Sequence, residues 1–329
     1  MGLKVGVIGT GRLGRQHVRV FGRIPEVELV GCYDIVHEKS QRVAREFGAE
    51  AFASVDELLA ATDSVSIVVP TVRHAEVSLV ALEAGKHVFL EKPVAASVVE
   101  AERIVEAAAR AGRVLQIGHV ERFNEAIKAC RPYVDSPSFI EIHRLAPFTP
   151  RGIDVSVIMD LMIHDIDLLI YFLGKLPVDV RAKGAGVLTS APDIVNARLE
   201  YDDGCVANLT ASRVSLETMR KVRIFSRSRY LSIDLHQGKI KHVRKKDSFD
   251  RGVEMLRLNR EKLDDVTLQD FLEIEETIVE GEEPLFSELR SFCRSVLDGT
   301  EPAVTGEDGL RALRLAVDIQ RIVEKTQRP

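Results

Sequence analysis

Asp160, His164 and Asp167 recur at i, i+4 and i+7 within the apolar run Val155 to Leu173, so on a helix the three side chains share one face. The rest of that run is apolar nearly all round, which predicts a buried helix. A buried stripe of two acids and a histidine needs partners. A core network satisfied by basic neighbours is one reading. A metal ion is a second, but no further Cys, His or carboxylate cluster supplies the remaining ligands, so no metal is expected. Proton transfer is the third. Histidine titrates near neutrality, an adjacent acid fixes its tautomer, and a nearby cation stabilises charge developing on oxygen. That set is what removal of an alcohol proton requires while the carbon loses a hydride. Asp165 points roughly opposite the stripe into apolar surroundings; no functional role is assigned to it, and an arginine is one guess at its partner.

The cation has a candidate in the stretch LEKPVA, residues 90–95, which follows the apolar run Val88-Phe89-Leu90. In one reading Glu91 and Lys92 are solvated in a surface turn that Pro93 terminates. In the other, Lys92 is held at the mouth of a site and faces His164 across a substrate. Pro93 fixes its own φ and biases Lys92 away from helix, and a cis Lys92–Pro93 bond is open to it. Strands of a doubly wound sheet deliver their carboxyl ends to the ligand crevice, which favours the second reading.

The elements that must position these groups alternate strand and helix through the first third of the chain. Leu3 to Ile8, Val27 to Tyr33, Val65 to Val69, His87 to Leu90 and Arg113 to Ile117 read as short buried strands. Between them lie helices, two of them opened by the capping boxes Ser54/Glu57 and Ser97/Glu100, and one closed by Gly48. This order predicts a parallel, doubly wound α/β sheet over residues 1–120. Gly9-Thr10-Gly11-Arg12-Leu13-Gly14 follows the first strand and opens a helix, the context in which GxGxxG carries weight. Gly9 permits the turn, Gly11 lets a pyrophosphate approach the backbone, and Gly14 lets helix and strand pack closely. The helix amino end supplies N–H groups for the phosphates. Asp34 closes the second strand, where its carboxylate can accept ribose hydroxyls and would repel a 2′-phosphate. NAD(H) is favoured over NADP(H), although His37, Lys39 or Arg42 could still accommodate the latter.

Residues 121–329 form the second expected domain, α+β with a mostly antiparallel open sheet that offers an oligomer interface. Its strands are Val178 to Val187, Ile194 to Tyr201, Val206 to Val214, Lys221 to Phe225, Leu231 to Leu235 and Lys239 to Val243, with turns at Asp202-Asp203-Gly204 and His236-Gln237-Gly238. Two helices, Leu285 to Leu297 and Gly309 to Glu324, close the chain, and the charged segment Asp247 to Gly281 resists assignment. The basic run Lys239 to Lys246 reads as a lysine-guarded strand edge rather than a nucleic-acid site.

Composition is that of an ordinary soluble globular protein. The 329 residues carry a net charge of −5, which gives no attraction to nucleic acid or anionic lipid. Cys32, Cys130, Cys205 and Cys293 are scattered and form no CxxC pair, so reduced thiols are expected. The first strand begins almost at once, with no leader expected before it, and charges interrupt the most apolar segment. A cytoplasmic protein with no membrane partner follows.

These residues together resemble the Gfo/Idh/MocA oxidoreductases along essentially the whole chain. The resemblance is carried by the glycine loop, by Pro70-Thr71 with His74, by Ala84 to Pro93 with its Glu-Lys-Pro signature, and by the Asp160/His164/Asp167 helix. It implies a Rossmann domain followed by a substrate and oligomerisation domain, and a homodimer or homotetramer formed through the second sheet. It further implies proton transfer and substrate orientation by Lys92, Asp160 and His164. Pro70, Thr71 and His74 would line the cofactor, with Glu91 near the nicotinamide. Met162 stands where most members have glycine. With the stretch Gly118 to Asn124 it resembles a subgroup that includes UDP-N-acetylglucosamine 3-dehydrogenases, which implies a sugar or nucleotide-sugar substrate and makes Arg122 and Asn124 candidates for its pocket. Their other reading is an N-cap region. The alternatives are an inositol or free-sugar dehydrogenase, or a dinucleotide-binding sensor without catalysis; a sensor would not need Lys92, Asp160 and His164 together.

Overall fold

The computed structural model describes residues 2–149, 155–250, 254, 267 and 271–327. By packing, the chain groups into two compact units: Met1–Phe123 with Ile166–Tyr171 and Glu282–Asp318, and Asn124–Asp165 with Phe172–Gly281 and Ile319–Pro329. Where sequence places a single boundary near residue 120, the chain passes between units at several points.

The first unit holds a six-stranded parallel sheet ordered β3-β2-β1-β4-β5-β6, formed by β1 (Leu3–Ile8), β2 (Val27–Tyr33), β3 (Glu50–Ala51), β4 (Ser64–Ile67), β5 (His87–Glu91) and β6 (Leu115–Gly118). Its helices are α1 (Arg12–Phe21), α2 (His37–Phe47), α3 (Val55–Ala61), α4 (His74–Glu83) and α5 (Val98–Ala111). This is the doubly wound arrangement expected from the alternating pattern. Both capping boxes form: Ser54 Oγ accepts from Glu57 N–H at 3.1 Å and Ser97 Oγ from Glu100 N–H at 3.3 Å. Gly48 closes α2 in the left-handed conformation. The core joins β1, β2 and β5 to α1 through Val5, Val7, Phe21, Cys32 and Phe89. Phe292, from a helix much later in the chain, meets Phe89 edge-on at 5.8 Å between centroids.

The second unit is built on an eight-stranded sheet ordered β14-β13-β12-β11-β7-β10-β9-β8. All six expected strands appear: β8 (Asp179–Ala185), β9 (Ile194–Glu200), β10 (Val206–Ser212), β11 (Met219–Ser226), β12 (Arg229–Asp234) and β13 (Lys239–Lys245). Two more join them, β7 (Phe139–Leu145) in the middle of the sheet and β14 (Leu272–Ile278) at one edge. Every pairing is antiparallel except β7 with β10. The basic run is therefore not an edge. β13 lies between β12 and β14, and the acidic β14 neutralises it: Glu276 pairs with Lys239 and Lys241, and Glu273 with Arg244. The rest of the segment 247–281 lies largely outside the described residues.

Among the described residues the remaining helices are α6 (Glu125–Cys130), α7 (Ile163–Leu173), α8 (Pro284–Asp298) and α9 (Gly306–Gln327). α8 belongs to the first unit, where it packs on α1 and β5. All four cysteines are buried and free. Burial pushes the Cys130 thiol up to about 12, which leaves it un-ionised at neutral pH. Among the described residues no helix is long and apolar enough to cross a membrane.

Candidate active site

The glycine loop is shaped by clearances that only glycine meets. Gly9 has φ +96°, and a Cβ there would lie 2.5 Å from the Val68 carbonyl oxygen. A Cβ on Gly14 would lie 1.8 Å from the Gly9 carbonyl oxygen, inside any contact distance. Gly11 has no protein atom within 4 Å of that position, so the backbone there faces open space. Gly11 also caps α1 without a side-chain hydrogen bond, and the first turn carries no acid. The helix amino end thus presents N–H groups and positive dipole to whatever enters. Exposed Arg12 and Leu13 begin α1. Asp34 Oδ2 accepts from Thr10 N–H at 2.8 Å and from Thr10 Oγ at 3.1 Å, while Oδ1 accepts from Val36 N–H at 3.0 Å. These bonds fix the carboxylate at the carboxyl end of β2. A cleft of about 480 Å³ opens beside it, lined by Thr10, Gly11, Arg12, Lys39 and Arg42, and by Arg15, which pairs with Glu46.

LEKPVA is not a solvated turn. Glu91 is the last residue of β5 and only 8% exposed, Lys92 is half-buried, and Pro93, Val94 and Ala95 are buried. The Lys92–Pro93 peptide bond is cis. Glu91 folds back: Oε1 lies 3.1 Å from His17 Nε2, Oε2 accepts from Lys92 N–H at 3.2 Å, and His17 Nδ1 lies 2.9 Å from Ser66 Oγ. Glycine on the neighbouring position of β6 leaves room for this: a Cβ on Gly118 would lie 3.0 Å from the Glu91 carboxyl, which would have to shift. His74, 1% exposed, spans two carbonyl oxygens, Pro93 O at 2.8 Å from Nδ1 and Val69 O at 3.0 Å from Nε2. It ties the proline loop to the end of β4, beside exposed Pro70 and half-buried Thr71. Burial holds the His74 imidazole below its ordinary pKa, against the pull of the two carbonyls.

The polar helix differs from the uniform α-helix expected. Its described part opens with a π turn, Ile158–Met162, in which Ile163 N–H donates to Ile158 O, and only then continues as α7. Such insertions concentrate at functional sites. Asp160, in the π turn, is exposed rather than buried, and His164 is half-buried. Asp165 finds the arginine it needed: Arg144 donates Nε and Nη2 to its Oδ1 at 2.9 and 2.7 Å. Asp167, 0% exposed, does not share the role of the other two. It receives a forked pair of bonds from Arg122, Nε to Oδ2 at 2.9 Å and Nη2 to Oδ1 at 2.7 Å.

Arg122 also donates to Asp308 at 3.2 Å and lies over the Tyr171 ring. Asn124 Oδ1 accepts from Ala126 N–H at 3.0 Å as the N-cap of α6, and its amide donates to Leu235 O at 3.1 Å. Asn124 thus meets the capping reading, while Arg122 is held by Asp167 and Asp308 instead of capping a helix. His17, Ser66, His119 and Glu288 also gather about the strand end inside the first unit. His119 falls in the stretch Gly118 to Asn124, but His17, Ser66 and Glu288 are single polar residues on buried faces and carry no motif. Among the described residues no cluster of three or more His, Cys, Asp or Glu side chains is placed to hold a metal.

Comparison with known proteins adds to this geometry. Residues 3–119 match the NAD-binding Rossmann domain of the Gfo/Idh/MocA oxidoreductase family, and residues 138–230 match a C-terminal domain of the same family. The chain belongs to the Gfo/Idh/MocA oxidoreductases. Over 233 residues it is 45% identical to the UDP-N-acetylglucosamine 3-dehydrogenase of Acidithiobacillus ferrooxidans, covering 70% of this chain and 74% of that protein. The crystal structure of a UDP-N-acetylglucosamine 3-dehydrogenase from Acidithiobacillus ferrooxidans superposes with a TM-score of 0.88 at 36% identity, covering 99% of both chains. A myo-inositol 2-dehydrogenase of Thermotoga maritima is 25% identical over 343 residues, covering 98% of this chain and 97% of that one. Membership of the family brings a dehydrogenase acting on CH–OH groups with a nicotinamide dinucleotide.

Proposed function

We propose that the chain oxidises the 3-hydroxyl of a UDP-linked N-acetylglucosamine, with NAD(H) rather than NADP(H) as cofactor. The observation that carries the substrate is the full-length likeness, 36% identical over 99% of both chains, to a UDP-N-acetylglucosamine 3-dehydrogenase. Inositol dehydrogenases stand further off, at 25% identity in the Thermotoga maritima case. The dinucleotide fits the residues present. Gly9, Thr10, Gly11, Arg12, Leu13 and Gly14 would hold the pyrophosphate at the uncapped end of α1, and Asp34 the ribose hydroxyls. Pro70, Thr71, His74, Glu91 and Lys92 would line the nicotinamide end. When bound, the oxidised nicotinamide accepts the hydride.

The proton chemistry falls to this chain. His164 takes the hydroxyl proton, Asp160 orients the sugar and the imidazole, and the Lys92 ammonium stabilises charge on the oxygen as the ketone forms. His74 holds the loop that carries Lys92. The preference for NAD(H) rests on the Asp34 carboxylate, which repels a 2′-phosphate; Lys39 and Arg42 on the cleft wall work against it. The open face of the eight-stranded sheet, where Lys221, Arg223, Tyr230 and Ser232 line a hollow of about 310 Å³, serves self-association into a dimer or tetramer.

The test is a panel of UDP-sugars, inositols and free hexoses mixed with NAD+ or NADP+, followed by absorbance of the reduced cofactor with the ketone trapped chemically. UDP-N-acetylglucosamine with NAD+ is the expected reactive pair. Reaction of a free polyol with no UDP-sugar turning over sinks the substrate assignment.

A further inference from the structure

Two buried histidines of the first unit hold the residues on either side of Lys92. After it, His74 Nδ1 lies 2.8 Å from the Pro93 carbonyl oxygen. Before it, His17 Nε2 lies 3.1 Å from Glu91 Oε1, while His17 Nδ1 lies 2.9 Å from Ser66 Oγ. His17 stands on α1, the helix that the glycine loop opens, Ser66 on β4 and Glu91 at the end of β5. Aromatic rings fix the imidazole from other directions. Phe89 meets it edge-on at 5.6 Å between centroids, and Phe21 lies at 6.5 Å. Residues two apart on a strand share a face, so Phe89 and Glu91 both turn toward α1.

The partners set the direction of each hydrogen bond. A carboxylate only accepts, so His17 Nε2 donates to Glu91 Oε1, and Nδ1 accepts from the Ser66 hydroxyl. Glu91 Oε2 accepts from the Lys92 N–H at 3.2 Å. Every donor in this chain points toward the acid. Hydroxyl, imidazole and carboxylate follow one another as in a hydrolytic triad, but Ser66 and His17 are both 0% exposed. No substrate reaches the hydroxyl, so nucleophilic catalysis is not what the three groups do.

We infer that His17 is a positioning residue for Lys92: from α1 it fixes the Glu91 carboxyl, and Glu91 fixes the Lys92 backbone at the strand end. The inference rests on the proposed role of Lys92 at the reacting oxygen. An ammonium placed about 1 Å from its working position costs about 10²-fold in rate. His17 is closed off by its own burial and acts only through Glu91. One helix therefore presents its amino end to the pyrophosphate and holds the lysine in register with it.

Two amide substitutions separate the two ring nitrogens. His17→Gln carries an amide N–H to the Nε2 position and keeps a donor for Glu91. His17→Asn stops at the Nδ1 position and keeps a partner for Ser66 alone. Both are assayed with NAD+ and UDP-N-acetylglucosamine, or whichever alcohol of the panel the wild type oxidises. His17→Gln is expected to stay close to wild type. His17→Asn is expected to lose about 10–10²-fold in kcat, with KM and NADH affinity little changed. Equal kcat in the two variants overturns the inference, and so do losses that simply follow their melting temperatures. If His17→Asn does not fold, heteronuclear NMR of the wild-type imidazoles decides, with His17→Gln identifying the signal. The tautomer protonated at Nε2 is expected, and protonation at Nδ1 alone contradicts the inference. Wild-type turnover in Lys92→Ala would remove the role of Lys92 itself, a result distinct from equal kcat in the two His17 variants.

Discussion

The two sheets of this chain spend their polar residues differently. In the parallel sheet β1, β4, β5 and β6 are buried almost residue for residue, and polar chemistry gathers where the strands end, at Asp34, Glu91, Lys92 and His119. In the eight-stranded sheet burial alternates along β9, β11 and β12, and charged residues project from the faces in cross-strand pairs such as Arg244 with Glu273. Parallel strands covered on both faces have no solvated side on which to carry charge, so charge is confined to their ends. Antiparallel strands with one wet face carry charge anywhere at small cost. A charge is thus informative about function in the first sheet and only about solubility and pairing in the second.

Substitutions at the strand ends of the first sheet should therefore outweigh those on the second. Lys92→Ala is expected to lower turnover by about 10²–10⁴-fold while NADH still binds, as steady-state rates and a fluorescence titration would register. Unchanged turnover would return Lys92 to a structural role. Arg122→Met removes one partner of a buried ion pair and is expected to cost about 3–5 kcal/mol in denaturant unfolding, because Asp167 is left buried without its fork.

Acid has a smaller effect with a definite sign. Burial lowers the proton affinity of His119 and of His74 in the folded state, Asp167 partly offsetting this for His119. Below about pH 6.5 the unfolded chain binds protons that these folded histidines refuse. Each therefore withdraws up to about 1.4 kcal/mol of stability per pH unit as pH falls below that value, and contributes no slope above it. Melting of wild type against His119→Gln between pH 5.5 and 7.5 isolates that share; parallel curves would contradict it. Asn124→Ala loses an N-cap and should cost about 1 kcal/mol. Glu273→Ala, on the exposed face of β14, should cost under about 1 kcal/mol and leave turnover untouched. A larger loss there would blur the distinction between the sheets.

Much of the first unit was legible in sequence because its signals are local. A capping box, a glycine that no other residue can replace, and a strand ending on Glu-Lys-Pro each declare themselves within a few residues. Partnerships across long separations were legible only as needs. Asp165 needed a partner, with arginine only a guess, and Arg144, 21 positions away on a strand that sequence did not register, supplied it. The acidic β14 was hidden for a related reason: Leu272–Ile278 alternates weakly and makes sense only beside the basic β13 that it neutralises. The π turn had no signal, since nothing in Ile158–Met162 opposes an α-helix. Its consequence is concrete, because it separates exposed Asp160 from buried Asp167 on what reads as one stripe.

The proposed reaction is hydride transfer from C3 of a UDP-sugar to a nicotinamide. UDP-N-acetylglucosamine carrying deuterium at C3, incubated with the protein and NAD+, tests it most directly. The expected product is reduced cofactor one mass unit heavier, formed more slowly than from unlabelled sugar. Unlabelled reduced cofactor would place the chemistry at another carbon, and no reduced cofactor, with the ketone trapped, would contradict the assignment of this substrate.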